Sequence, residues 1–202
     1  MQILILFALL VAVSASSIGT WECFGQKARR PSIIKRSDWG ANKPVGRGKK
    51  HEITFITIHH TATAQKPDGL IGTKMRNLQA FSQREDKLDT GKVKPAWFDI
   101  PYHYYIAADG QIAEGRDIKY TGDTNTEYDP TGHALVVLEG SFNKEIPTTA
   151  QVESLKQMVA WLVRKFKVTA ENIKGHSDYA QTACPGENLK RLLPSLRSAP
   201  AK

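Results

Sequence analysis

Two stretches that lie far apart in this chain make chemical sense only if the fold brings them together. Gly175-His-Ser-Asp-Tyr-Ala-Gln-Thr-Ala-Cys-Pro-Gly186 sets His176 and Cys184 eight positions apart, and Ile56-Thr-Ile-His-His-Thr-Ala-Thr63 carries His59 near the end of a β-branched run. Two imidazoles and one thiolate are good ligands for Zn2+, and three protein ligands leave a fourth position for water, as in a catalytic site. Each half alone is a weak signal, because a lone His in an apolar strand is commonly a hydrogen-bonded core residue. Together they demand a fold in which a strand end meets a distant loop.

Length and composition suit that demand. A chain of 202 residues, 41% hydrophobic and 24% charged, is enough for one compact domain with a sizeable core and an N-terminal appendage. The apolar run from Met1 to about Ala15 is too short to span a bilayer comfortably, and Val13-Ser14-Ala15 offers small residues for signal peptidase. Residues 1–17 therefore read as a secretory signal peptide, with an uncleaved N-terminal anchor as the alternative; 18–30 read as a tail and 31–202 as the domain. The mature protein is expected to be secreted or periplasmic, with no transmembrane segment.

The net charge of +8 suits a partner with an anionic surface, such as a cell-wall polymer or nucleic acid. The basic runs Lys27 to Arg30 and Arg47 to Lys50 have no interleaved aromatics for base stacking, so nucleic acid is not the expected partner. Cysteine usage is sparse. Only Cys23 and Cys184 are present, so if Cys184 binds metal no intramolecular disulfide is available and Cys23 is left unpaired.

Periodicity gives a coarse map. Glu52 to His59 reads as a buried strand, with Phe55, Thr57 and His59 on one face and Ile56, Ile58 and His60 on the other. His59 and His60 are therefore not expected to share a metal. Ile71, Met75, Leu78 and Phe81 predict a helix from about Leu70 to Arg84, followed by a loop from Glu85 to Lys94. Trp97 to Ala107 and Gln111 to Glu114 read as a hairpin with Tyr102 in its first strand, and Tyr120 to Thr131 as a polar loop. A strand over Ala134 to Glu139 precedes a capping box, Thr148 to Gln151, and a long helix ending near Lys167; a last helix runs from Glu187 to about Leu193. Strands alternating with helices predict one α/β domain, a central mixed β-sheet flanked by helices.

These stretches belong to an ordered set: Arg36-Ser-Asp-Trp-Gly-Ala41, His59-His-Thr61, Tyr102-His-Tyr-Tyr-Ile106, Asp109-Gly110, Glu114-Gly-Arg116 and Gly175-His-Ser-Asp178. From Pro31 to Leu196 the chain resembles the type 2 N-acetylmuramoyl-L-alanine amidases, which include phage lysozyme-type amidases and peptidoglycan recognition proteins. The resemblance implies a zinc site at one edge of a substrate groove, with His59, His176 and Cys184 as the metal ligands and peptidoglycan as the partner of a monomeric enzyme. It also places Tyr102 beside the zinc as a catalytic residue. Thr182 stands where relatives carry Lys or Thr near the reacting carbonyl, with loop ordering as its competing role.

A zinc ion held this way brings a bound water toward a pKa of about 7 and polarises a carbonyl oxygen. The phenol of Tyr102, with an ordinary pKa of about 10, is suited to donating a hydrogen bond to an oxyanion. His103 is expected to face away from Tyr102, and Asp178 to orient either His176 or its loop. Glu139 closes a strand just before Gly140, and the glutamate of some bacterial relatives falls at Val137, so Glu139 is not assigned as a base. Many relatives carry Gly-Ala-His after the hairpin, where this chain reads Thr121-Gly122-Asp123. The rival readings are a non-catalytic peptidoglycan-binding protein, whose kind typically replaces the metal Cys, and a polyanion binder, which would leave the zinc residues idle.

Overall fold

A computed structural model describes residues 29–88 and 91–198. The expected signal peptide, nearly all of the expected tail and Cys23 lie outside these residues. The central strand β1 (Phe55–His60) is the apolar, β-branched segment foreseen above. It pairs in parallel with β6 (His133–Leu138) on one side and with β7 (Ile173–Gly175) on the other. Beyond β6 lie β4 (Tyr104–Ile106), again parallel, and β5 (Ile112–Glu114), antiparallel to β4. The order β5-β4-β6-β1-β7 makes a mixed sheet.

Strand alternation sorts the side chains between two layers. Ile56 and Ile58 of β1, Ala134, Val136 and Leu138 of β6, and Tyr104 and Ile106 of β4 face a long helix, α2 (Thr149–Phe166). That helix buries Leu155, Met158, Val159 and Leu162, each contributing about 1.5–3 kcal/mol through removal from water. The capping box forms as expected: the Thr148 hydroxyl accepts from the Gln151 amide, and the Gln151 side chain accepts from the Thr148 amide. On the other face, Tyr105 and Val137 pack with Trp39 and with Ile71 and Met75 of α1 (Ile71–Ser82).

Several boundaries differ from the sequence expectation. The predicted loop from Glu85 to Lys94 contains a small antiparallel ribbon, β2 (Asp86–Lys87) with β3 (Val93–Lys94). The first hairpin strand starts at Tyr104, so Tyr102 precedes it instead of lying within it. Pro101 has no N–H to give a ladder, and the Asp99 carboxylate takes the Ile100 N–H at 2.8 Å, so both favour a loop. Strand β7 was not foreseen; only three residues long, it has no periodicity to read. The single final helix is two short ones, α3 (Glu187–Lys190) and α4 (Leu193–Arg197), with Pro194 in the first turn of the second. Among the described residues, no helix is long and apolar enough to cross a membrane.

Candidate metal centre and cleft

Parallel pairing explains how His59 and His176 meet. Ile58 of β1 is in register with Gly175 of β7, so the next residues, His59 and His176, leave neighbouring strands at the same carboxyl edge. Their rings lie 4.6 Å apart between centroids. Sites at the carboxyl ends of parallel strands are common because the chain diverges there and leaves a crevice.

Cys184 is brought to the same point by a folded loop. Ser177 donates its amide to the Cys184 carbonyl at 2.8 Å, and Asp178 accepts the Gly175 amide at 2.9 Å, so Asp178 orders this loop and not the His176 ring. Gly186 sits at φ +89°, where a Cβ would come within 2.5 Å of the Phe142 backbone, so glycine is required to pass this close. The Cys184 Sγ then receives the His60 N–H at 3.3 Å and lies 3.6 Å from Nδ1 of His59.

The three candidate ligand atoms of His59, His176 and Cys184 all lie within 4.8 Å of one another. A small tetrahedral cation with ligand bonds of about 2.0–2.3 Å fits that spacing. The donor chemistry fits as well. Burial holds His59 well below the ordinary imidazole range and His176 at about 4, so both rings offer lone pairs at neutral pH. Burial pushes the Cys184 thiol up to about 12, so a nearby cation is what would ionise it. Nε2 of His59 is buried with no hydrogen-bond partner, while Nε2 of His176 is engaged by Thr126 Oγ1 at 2.7 Å and so leaves Nδ1 free.

These residues sit in a cleft of about 300 Å3 that is also lined by Trp97, Tyr102, Asp123 and Thr182. Tyr102 places its ring 5.2 Å from that of His59. Burial, and then the neighbouring Cys184, raise its phenol above the usual range, which keeps the O–H in place as a donor. Thr182 accepts the Cys184 amide at 3.2 Å, so its loop-ordering bond is present and its hydroxyl also borders the cleft. Asp123 is ion-paired with the buried guanidinium of Arg116, which also donates to the carbonyls of Ile100 and Asp99 at 2.8 Å.

Other polar residues lie elsewhere. His103 accepts from the Leu135 amide and meets the Tyr120 carbonyl, each at 2.9 Å, in the interior. His51 and His133 bond the Ile118 carbonyl and the Thr57 hydroxyl. Glu139 is buried against Lys74 at 2.7 Å and takes the Ala108 amide at 2.8 Å, so it ties α1 to the sheet. Sequence reading passed over Trp97, Thr124 and Thr126. The loop from Tyr120 to Thr131 showed only a polar composition, and nothing local told which of its hydroxyls turn inward.

A family model described as N-acetylmuramoyl-L-alanine amidase matches residues 49–187. The chain belongs to the N-acetylmuramoyl-L-alanine amidase family. Within this amidase family, it is 28% identical over 170 residues to the pig protein named N-acetylmuramoyl-L-alanine amidase, covering 81% of this chain but only 27% of the pig protein. It is 27% identical to peptidoglycan-recognition protein SC2 of Drosophila melanogaster, covering 78% of this chain and 82% of the fly protein. A solved structure of a Drosophila PGRP-LB variant in complex with tracheal cytotoxin superposes with a TM-score of 0.66 at 28% identity, covering 81% of this chain and 93% of that one. The amidase family thus includes proteins named as enzymes and proteins named for recognition.

Proposed function

We propose that this chain is an exported, zinc-dependent N-acetylmuramoyl-L-alanine amidase. It hydrolyses the amide between the lactyl group of N-acetylmuramic acid and the L-alanine of the peptidoglycan stem peptide. The observation that carries this reading is the meeting of His59, His176 and Cys184 within 4.8 Å in a cleft that Tyr102 also lines. A recognition protein needs the cleft but has no use for an open three-ligand set. The relative solved with tracheal cytotoxin, a monomeric diaminopimelic acid-type peptidoglycan, supports a muramyl peptide as the substrate class.

His59, His176 and Cys184 would hold the zinc. When bound, zinc supplies an acidified water near neutral pH and a Lewis acid for a carbonyl oxygen. The chain's own residues do the rest. The phenol of Tyr102, protonated in its half-buried setting, donates to the oxygen on which negative charge develops. Thr182 offers a second hydroxyl from the same loop as Cys184, and the cleft walls hold the peptide against these donors.

The test is digestion of purified peptidoglycan with and without a chelator, followed by mass spectrometry of the new ends. Free stem peptides beginning with an L-alanine amine, with intact glycan strands and loss of cleavage on chelation, are expected. Binding of muramyl peptide with no cleavage at full zinc occupancy would make the protein a recognition module instead.

A further inference from the structure

Thr124 and Thr126 line the cleft on the loop that joins β5 to β6, and their hydroxyls form a short chain that ends on the metal centre. Thr126 Oγ1 lies 2.7 Å from Nε2 of His176 and 2.7 Å from Oγ1 of Thr124. Thr124 Oγ1 also accepts the backbone N–H of Thr126 at 3.1 Å.

The direction of this chain is decided at His176, because a neutral imidazole has one N–H and one lone pair. With Nδ1 on a cation, Nε2 carries the proton and donates to Thr126. Among the described residues the one acceptor left within reach of the Thr126 proton is Thr124 Oγ1, so that proton goes to Thr124. The Thr124 oxygen now accepts twice, from the hydroxyl and from the amide of Thr126. A hydroxyl has two lone pairs and one proton, so the remaining capacity of Thr124 is to donate. With the proton on Nδ1 the chain runs the other way: Thr126 donates to His176, Thr124 donates to Thr126, and no Thr124 proton is left for the cleft.

We infer that Thr126 is a positioning residue that presents Nδ1 of His176 to zinc, and that in the loaded centre the same relay turns Thr124 into a hydrogen-bond donor for a carbonyl oxygen of the muramyl peptide. The inference rests on the zinc amidase reading above. It adds a coupling. Zinc and muramyl peptide each strengthen the binding of the other through two threonines, and by linkage the factor is the same in both directions.

The test measures zinc affinity by competition with a chromophoric chelator, and affinity for a muramyl tripeptide by calorimetry with and without zinc. The calorimetry uses a Tyr102→Phe background to suppress turnover. Thr126→Val is expected to weaken zinc binding by about 10–100-fold, the usual effect of losing a partner that orients a ligand, while Thr126→Ser keeps the hydroxyl and stays near wild type. Thr124→Val is expected to retain zinc affinity and to lose the zinc-dependent part of tripeptide affinity. Equal zinc affinity in wild type and Thr126→Val would overturn the positioning role, and a full zinc-dependent gain in Thr124→Val would overturn the donor role. Rescue by Thr126→Ser separates the relay from a general folding defect. The amidase reading fails separately, through wild-type protein that holds zinc and cleaves nothing, because the relay is read from affinities and not from turnover.

Discussion

Cys184 Sγ lies 3.6 Å from Nδ1 of His59 across 125 positions of sequence. Neither residue is exposed, and the thiol would stay protonated in this setting without a cation beside it. The contact therefore ties the stability of the C-terminal loop to what occupies the site.

Replacement of Cys184 by Ser should reduce bound zinc from about one equivalent to a small fraction, because a neutral hydroxyl is a far poorer ligand than a thiolate. Elemental analysis of the purified proteins measures this. Chelation should lower the melting temperature of the wild type, since zinc binds the folded state, and should leave Cys184→Ser nearly unmoved. Full zinc occupancy in the variant would remove Cys184 from the site.

Tyr102→Phe should cut turnover on peptidoglycan by about 100-fold or more, the scale of losing one donor to a developing oxyanion. Metal content should stay at the wild-type level, because the phenol acts on the substrate. Turnover near wild type would return Tyr102 to a packing role.

Gly186→Ala should cost about 2 kcal/mol or more and weaken zinc binding with it. A positive φ strains any Cβ, and this Cβ would meet the Phe142 backbone at 2.5 Å. Denaturant unfolding gives the first effect and chelator competition the second; an alanine variant as stable as wild type would show that the loop can shift freely.

Low pH should unfold the metal-free protein earlier than its carboxylates alone would require. Burial lowers His103 from an ordinary 6.5 to about 3, so the unfolded chain takes up this proton below about pH 6.5 while the folded chain refuses it until about pH 3. The unfolded state binds more protons in that window, so the His103 contribution is complete above pH 6.5 and is lost as pH falls toward 3. Burial lowers His133 to about 4, in the same direction. His103→Gln should be less stable at neutral pH, having lost its bonds to Leu135 and Tyr120, but its melting temperature should fall less steeply between those limits. Parallel curves for the two proteins would show that His103 titrates normally.

Much of the frame was legible in the chain because it follows from local periodicity. The alternation of β1, the stripe and capping box of α2 and the apolar spacing of α1 each specify an element without reference to distant residues. The residue types of the candidate centre were legible too, since His59, His176 and Cys184 carry suitable ligand atoms in a recognisable order. What a strand as short as β7 lacks is any pattern of its own. It exists because β1 offers it a parallel edge, and a three-residue pairing is decided by tertiary context.

The sequence by itself determined the fold class through its hydrophobic period, the family through its ordered motifs, and the candidate ligand types through side-chain chemistry, all of them properties of single residues and short windows. Only the tertiary structure decided that Ile58 pairs with Gly175, so that His59 and His176 leave the sheet side by side. It also decided that Tyr102 sits ahead of its strand, and that Thr126 reaches the far nitrogen of His176. The physical reason is that register and loop path are set by the burial of the whole sheet between two helical layers. A hydroxyl in a polar loop has no local signal that tells whether it will meet water or an imidazole.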